Sequence, residues 1–260
     1  MAPMRLLSWN VQWCRGVDGV VDPARIAAFV KQQGADVACL QEVARNIPEI
    51  QAGDQVEALA RELPGYEAFF AASVDLPGRG QFGNLILSRL PTGRVLRHSL
   101  PWPASPDTPS MPRCAVEAVI AGARVTTTHL EYYAKAHRAA QVARLLELHA
   151  EGLAARMEVD EATYREAARP PSALVCGDFN FPPQDSEHRT MLERGFLDTW
   201  EHLNPGVQHP HTFRVYEAEK QSYCCDFVFV TPDLAARLQA IRIDGANQAS
   251  DHQPVIVDFL

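Results

Sequence analysis

Short apolar runs that end in polar residues recur along this chain, and they limit what it can fold into. The clearest runs are MRLLSWNV, ADVACLQEV, ARVTTTHL and LVCGDFN. Each has the length of a buried strand, which is too short for a core helix or a membrane span. Amphipathic segments separate several of them. The pattern predicts an α/β domain in layers, with helices covering sheets that pack on each other.

Helix-capping residues set the boundaries of the helices between these strands. Asp22 suits the N-cap of a first helix, Pro23 its first position, and Gly34 the position after its end. Further helices are predicted from Asp54 to Leu63, from Lys135 to Arg156 and near Ser186 to Arg194.

The chain contains no segment that reads as a linker. It has 260 residues, of which 47% are hydrophobic, which suits a single domain spanning residues 1–260. No apolar run approaches the roughly 20 residues of a membrane-spanning helix, and the N-terminal sequence lacks the pattern of a secretory signal. We therefore expect no stable membrane insertion, a cytoplasmic location and a monomer.

The acidic balance of the chain bears on its partners. The formal net charge is −8, whereas proteins that grip long nucleic acids through phosphates usually present a basic surface. This charge disfavours tight non-specific DNA binding. It is compatible with a small phosphorylated substrate, or with a site where a divalent cation supplies positive charge.

The six cysteines show no spacing typical of a metal site. None is in a CxxC motif, and most lie inside or beside apolar runs. We interpret them as small buried residues of a protein from a reducing compartment.

The polar residues of interest share one position, the end or the beginning of an apolar strand. Sites in α/β proteins assemble at strand ends, because the sheet holds the residues and the loops leave room for substrate. The residues in question are Asn10, Glu42, His129, Asp178, Asn180, Asp226, Asp251 and His252.

Taken singly, each of these residues has an ordinary structural explanation. Asn10 could form a turn, Glu42 could pair with Arg45, and His129 could be a satisfied core histidine. Asp226 could be a strand-edge acid, and the pair that begins at Asp251 could belong to a turn. Together, however, they supply carboxylates, amides and imidazoles, and no serine or cysteine lies in a recognised nucleophile motif.

That set of groups suits a hard cation and proton transfer. Mg²⁺ and Mn²⁺ prefer carboxylate and carbonyl oxygens, which Glu42, helped by Asn10 and Asp251, could provide. Asp226 could orient His252 and stabilise its charged form. Asp178 and Asn180 lie two residues apart, which in an extended segment places both on one face, where they could hold an attacking water.

The motifs that carry these residues resemble those of one superfamily. SWNVQW, LQEV, GNLILSR, THLE, GDFN, CDFVFV and SDHQPV occur in the order typical of the endonuclease/exonuclease/phosphatase superfamily. The resemblance spans nearly the whole chain. It implies a four-layer α/β/β/α sandwich of two mixed β-sheets flanked by helices. It also implies divalent-metal-dependent hydrolysis of phosphoester bonds, with water attacking phosphorus directly.

The resemblance also implies a role for each site residue. By their motifs, the residues of the metal site are Asn10, Glu42 and Asp251, with Mg²⁺ or Mn²⁺ as the cofactor. The catalytic residues are His129, Asp178, Asn180, Asp226 and His252. The residues that bind the substrate phosphate are Arg113, His129 and Asn180. Arg113 ends a proline-rich loop, so it could instead be a solvated charge.

The resemblance leaves the substrate open. Gln12 stands where abasic-site nucleases usually carry an acid, and His129 where they use a tyrosine, which argues against abasic-site repair. The phosphorylated substrate could be a small molecule, a nucleic acid or a lipid, so a phosphodiesterase, a phosphatase and a nuclease all stay possible. So does a catalytically inactive scaffold or binding protein of the same fold. We expect the loops at residues 100–113 and 157–171 to shape the substrate opening.

Overall fold

A computed structural model describes residues 3–50, 53–154 and 169–260 of the chain, which form two six-stranded sheets. The strands are β1 (Met4–Asn10), β2 (Val37–Arg45), β3 (Glu67–Leu76), β4 (Gly80–Ser88), β5 (Thr92–Ser99), β6 (Cys114–Ile120), β7 (Ala123–His129), β8 (Ala173–Asp178), β9 (Leu197–Asp198), β10 (Asp226–Val230), β11 (Leu238–Ile243) and β12 (Val255–Phe259).

The helices in the described residues are α1 (Pro23–Gln33), α2 (Gln55–Glu62), α3 (Lys135–Leu153), α4 (Ser186–Glu193), α5 (Thr199–Leu203) and α6 (Pro232–Ala235). The first four were predicted, whereas the short helices α5 and α6 were not. The side chains of Asp22 and Asp54 cap α1 and α2, and Gly34 ends α1 in the left-handed conformation, which confirms both predictions. The predicted end of the third helix at Arg156 lies outside the described residues. Within the described ranges, no helix is long and apolar enough to cross a membrane.

Each sheet contains one parallel pair of strands at its centre. The first sheet has the order β11-β12-β1-β2-β4-β3, and the second has the order β5-β6-β7-β8-β10-β9. β1 is parallel to β2, and β7 is parallel to β8, while the other pairs are antiparallel. In each sheet, the C-terminal ends of the two central strands therefore lie side by side at the same edge.

Three buried clusters hold the layers together. The largest lies between the sheets, where Leu6 and Val257 of the first sheet join Val116 and Leu174 of the second. A second cluster packs α1 against the outer face of the first sheet, and a third packs α3 and α4 against the outer face of the second. The layers are therefore helix, sheet, sheet, helix, which confirms the predicted α/β/β/α sandwich. All six cysteines are buried and free.

We expect Gly177→Ala to destabilise the fold by about 2 kcal/mol or more, because the site is both strained and crowded. Gly177 has a φ of +137°, and a Cβ built there would lie 1.9 Å from the backbone oxygen of Thr128 on β7. Gly122→Ala is the matched control: its φ is +83°, but a Cβ would meet nothing within 4 Å. That variant should cost only about 1 kcal/mol. Urea unfolding of both variants checks the difference, and equal costs would contradict the role of the close approach.

Candidate active site

The predicted site residues converge where the two central strand pairs end. Asn10 ends β1, and Glu42 lies near the corresponding end of the parallel strand β2. In the second sheet, His129 at the end of β7 is in register with Asp178 at the end of β8. β10 runs antiparallel to β8, so its first residue, Asp226, is also opposite Asp178. The topology thus brings the ends of two sheets to one place.

The segment before β12 reaches the same place because β12 is antiparallel to β1. The hydroxyl of Ser250 donates a hydrogen bond of 2.7 Å to the backbone oxygen of Asn10, and the indole of Trp9 donates one of 2.9 Å to the backbone oxygen of His252. These bonds tie the segment to β1. They place Asp251 and His252 at the cleft that the strand ends form.

His252 and Asp226 form a buried hydrogen-bonded pair. The Nδ1 atom of His252 lies 2.9 Å from Oδ2 of Asp226, and Phe213 stacks on the imidazole with ring centroids 4.4 Å apart. Burial alone lowers the pKa of His252, but the charges of Asp226 and Asp178 outweigh it and raise the pKa to about 10. The ring is therefore charged at neutral pH, and its Nε2–H, 3.6 Å from Oδ2 of Asp178, is available as a donor.

The side-chain amide of Asn10 connects the residues of the two sheets. Its Nδ2 donates to Oε1 of Glu42 at 3.1 Å and to Oδ2 of Asp178 at 3.0 Å. Its Oδ1 accepts a hydrogen bond of 3.0 Å from the backbone N–H of Gln12, which fixes the orientation of the amide. Asn10 is fully buried, so its position is set by the protein rather than by solvent.

Glu42 occupies a strained backbone position. The register of β2 shifts between Leu40 and Val43, and Glu42 has a φ of +58° within this bulge. Bulges of this kind redirect a side chain beside an active site. Burial raises the pKa of Glu42 to about 7; the hydrogen bond from Asn10 opposes this, and the charge of Asp251 adds to it. A cation beside this carboxylate would stabilise its ionised form. Arg45, the alternative partner, bonds to Asp54 instead.

His129 lies between two of the site carboxylates. Its Nδ1 is 3.8 Å from Oε1 of Glu42, and its Nε2 is 3.4 Å from Oδ2 of Asp178. Burial lowers its pKa well below the usual range, and the positive charges of Arg113 and His252 lower it further. The two histidines of the site therefore differ in charge at neutral pH, since His129 is neutral and His252 is protonated.

Asp178 and Asn180 meet through a turn rather than along an extended segment. β8 ends at Asp178, and Asn180 has a φ of +54°. The backbone N–H of Asn180 donates to Oδ1 of Asp178 at 2.9 Å, and its Nδ2 donates to the backbone oxygen of Leu130 at 2.9 Å. The prediction that both residues lie on one face of an extended segment was therefore wrong. An aspartate can accept a hydrogen bond from the backbone two residues further on, which turns the chain. Both side chains nevertheless line the cleft.

Asp251 is held at the edge of the cleft by Gln12. The side-chain amide of Gln12 donates to Oδ2 of Asp251 at 2.8 Å, and Gln12 itself has a φ of +45°. Burial raises the pKa of Asp251, and the charge of His252 opposes this. Asp251 thus adds a second partly buried carboxylate to that of Glu42.

The cleft that these residues line has a volume of about 270 Å³. Arg113 borders it and is buried, in contrast to the alternative of a solvated charge. Its Nε lies 3.6 Å from Oε2 of Glu131, and neither atom has a hydrogen-bond partner among the described residues. The positive charge of a guanidinium beside the cleft is suited to an anion.

Two supporting residues had no signal in the sequence, and a third, Gln12, stood out there only as a departure from the abasic-site nucleases. Phe213 stacks on the histidine, Gln12 holds Asp251, and the hydroxyl of Thr212 accepts hydrogen bonds from the backbone N–H groups of Cys225 and Asp226 at 3.1 and 3.2 Å. The sequence around Thr212 and Phe213 has no feature that predicts a stacked ring. Only the fold brings these residues to the site.

Two sets of side chains at or beside the cleft are candidates for holding a metal. Asp178, Cys225 and His252 have possible ligand atoms within 4.8 Å of one another. Burial raises the pKa of the Cys225 thiol well above its usual value, and His252 is protonated, so this set does not offer ligands to a hard cation at neutral pH. The carboxylates of Glu42 and Asp251 border the cleft, and their oxygens fit Mg²⁺ or Mn²⁺; Asn10 lies behind the lining and donates to Glu42.

Comparison with known proteins agrees with the fold and identifies the family. The model of the Endonuclease/Exonuclease/phosphatase family matches residues 7–252. An exodeoxyribonuclease of Bacillus subtilis (strain 168) is 24% identical over 97% of this chain and 98% of its own length. A solved endonuclease/exonuclease/phosphatase from Beutenbergia cavernae is 25% identical with a TM-score of 0.76, covering 98% of this chain and 71% of that one.

A more distant structure shows the same fold. A 3′ phosphatase from Neisseria, solved with a product DNA hairpin, is 21% identical with a TM-score of 0.69, and the match covers 99% of each chain. The layered sheets and these matches place the chain in a class of proteins whose members act on phosphoesters. More particularly, the chain belongs to the endonuclease/exonuclease/phosphatase family.

Proposed function

We propose that this chain is a divalent-metal-dependent hydrolase of phosphoester bonds in which water attacks phosphorus directly. The observation that carries the proposal is the bonding of Asn10, whose single amide joins the carboxylates of Glu42 and Asp178. A metal-binding carboxylate and a water-positioning carboxylate must be held at a fixed separation for an in-line attack. The Bacillus exodeoxyribonuclease and the Neisseria 3′ phosphatase, both named for phosphoester chemistry, support the assignment.

The metal in this proposal is Mg²⁺ or Mn²⁺. Glu42 and Asp251 would hold it, since both carboxylates line the cleft and burial raises the pKa of each. Asn10 would position Glu42 through its hydrogen bond. When bound, the ion would polarise a phosphoryl oxygen and offset the negative charge that develops in the transition state.

The other residues would act on the water and on the phosphate. Asp178, whose pKa burial raises to about 6, is mostly ionised at neutral pH and can accept a proton from the attacking water. His252, charged and oriented by Asp226, would donate a hydrogen bond to a phosphoryl oxygen. His129 is neutral and would donate through one ring nitrogen.

Asn180 and Arg113 would hold the remaining phosphoryl oxygens. The side chain of Asn180 is fixed by its bond to Leu130, so it needs no reorganisation when substrate binds. Arg113 is buried beside the cleft, so the positive charge of its guanidinium would attract the phosphate.

The cleft favours a small phosphoester or the end of a chain. Its volume of about 270 Å³ is near the lower end of the roughly 300–1,000 Å³ of small-ligand pockets. Trp13, Phe82, Met111 and Tyr133 line it beside the catalytic groups, and they provide apolar surface for the group next to the phosphate. Met111 belongs to the loop at residues 100–113, as expected for a loop that shapes the opening. The loop at 157–171 lies mostly outside the described residues.

We expect the purified protein to hydrolyse p-nitrophenyl phosphate or bis-p-nitrophenyl phosphate with Mg²⁺ or Mn²⁺ and to lose this activity in EDTA. Glu42→Gln should need at least about tenfold more metal for half-maximal activity, because an amide is a poorer ligand than a carboxylate. The pKa of Glu42 near 7 means that metal binding releases a proton below that pH. The metal concentration for half-maximal activity should therefore fall between pH 6 and pH 8.

The matched control is Glu67→Gln, an exposed residue of β3, which should leave the metal requirement unchanged. The ratio of diester to monoester hydrolysis assigns the preferred bond. Equal activity in EDTA, or an unchanged metal requirement in Glu42→Gln, would contradict the metal assignment. Metal binding without hydrolysis of any phosphoester would favour the scaffold alternative.

A further inference from the structure

A second cluster of metal-ligating side chains lies outside the cleft. His188 on α4, Asp198 at the end of β9 and His209 in the loop before β10 are buried together. The Nε2 atoms of both histidines lie 2.9 Å from the same carboxylate oxygen, Oδ2 of Asp198. A fourth group, the exposed carboxylate of Glu201, has Oε1 4.0 Å from Nε2 of His188.

The geometry of this cluster points to a four-coordinate metal ion. The four possible ligand atoms all lie within 4.8 Å of one another. The edges of a tetrahedron with metal–ligand bonds of roughly 2.0–2.1 Å are about 3.3 Å long, so small shifts of the side chains would bring the atoms to that spacing. Two imidazoles with one or two carboxylates are ligands that Zn²⁺ accepts, whereas Mg²⁺ prefers oxygen alone.

The surroundings of the cluster support a fixed site. Oδ1 of Asp198 accepts hydrogen bonds from the backbone N–H groups of Trp200 and Glu201 at 2.7 and 3.4 Å, which holds the carboxylate in one orientation. The ring of Phe227 packs against both histidines, with centroids 5.2 and 5.6 Å away. Ligands oriented by such outer contacts, within an apolar shell, are typical of protein metal sites.

The cluster is accessible from solvent. A cavity of about 710 Å³ is lined by Glu201 and His209, among other residues, and gives an ion a route from solvent.

We propose that His188, Asp198, His209 and Glu201 form a structural binding site for Zn²⁺ that is separate from the catalytic cleft. The ion would join α4, the start of α5 and the loop before β10. His209 is three residues from Thr212, which bonds to the backbone at Asp226, and four from Phe213, which stacks on His252. A bound ion would thus stabilise the segment from His209 to Phe213, which packs against His252.

The test uses the full chain with the change Glu42→Gln, which weakens metal binding in the cleft. This background protein is stripped of metal and then kept in Mg²⁺. Titration with Co²⁺ should give one bound equivalent with the strong visible absorption of a four-coordinate ion, and Zn²⁺ should displace it. Zn²⁺ should also raise the unfolding temperature of this background protein.

Adding His209→Gln should abolish the absorption and the thermal shift, because the amide can keep the hydrogen bond to Asp198 but is a poor ligand. Glu201→Gln, an exposed change that tests the site even if His209→Gln does not fold, should weaken Co²⁺ binding about tenfold or more. No absorption in the background protein, or an absorption that both variants keep unchanged, would overturn the proposal. The cluster would then be a hydrogen-bonded network only.

Discussion

Asp178→Asn should lower kcat by roughly 10²–10³-fold or more while leaving the protein folded. The amide keeps the size of the carboxylate but cannot accept a proton from water. Burial makes the charge of Asp178 unfavourable, as its raised pKa shows. Removing the charge therefore offsets the loss of the hydrogen bond from Asn10, and the free energy of unfolding should change by no more than about 1 kcal/mol.

Steady-state kinetics at saturating metal, with urea unfolding of the same preparations, checks this result. Asp75→Asn is the matched control, since Asp75 is an exposed residue of β3 that bonds to Gln81. It should leave kcat and the free energy of unfolding unchanged. Turnover of Asp178→Asn within a few fold of the parent would remove Asp178 from the water-activating role.

His252→Gln should also lower kcat, by roughly 10²–10³-fold, because the charged imidazole is replaced by a neutral amide. The glutamine can still donate to Asp226, so the buried carboxylate is not left without a partner. His202→Gln, on the exposed part of α5, is the control and should have normal activity.

The same variant should change how stability depends on pH. The pKa of His252 is about 10 in the folded protein and about 6.5 in an unfolded chain. Its charge–charge stabilisation is therefore fully present below pH 6.5 and is lost as the pH rises towards 10. In EDTA, the free energy of unfolding should fall over this range in the parent and fall less steeply in His252→Gln. Parallel pH profiles would contradict the charged state of His252.

A double variant separates orientation from charge. Asp226→Asn alone should lower kcat, because the imidazole loses the partner that orients it and stabilises its charge. The double variant Asp226→Asn/His252→Gln should have a kcat close to that of His252→Gln alone. Each change disables the same His252–Asp226 pair, so their effects should not add. Additive losses would mean that Asp226 acts on something other than His252.

The strand ends predicted the site better than any single residue did. Asn10 and Asp178 each have an ordinary explanation in isolation, but both follow apolar runs that could only be strands. The order of the motifs, together with the family resemblance, then predicted the four layers. Helix boundaries at Asp22 and Gly34 were predictable because the capping preference is local.

Other parts of the site depend on contacts that a sequence does not encode locally. The bulge that turns Glu42 towards the cleft arises from the register between β2 and β4, and no residue type marks it. Phe213 meets His252 across 39 positions of the chain, and His188 meets His209 only because α4 packs on the second sheet. Asp178 and Asn180 were predicted to act together, but the turn between them was not.

The seam between the two sheets, where their strand ends meet, passes through the cleft. Mutations in the core between the sheets can therefore affect the site. Asn10 and Glu42 belong to one sheet, and His129, Asp178 and Asp226 to the other, so the amide of Asn10 spans the seam. The residues of each half are held by the hydrogen-bonded strands of one sheet. Packing faults between the sheets would therefore shift one half of the cleft against the other, and under the proposed mechanism they would disturb the alignment of water with phosphorus.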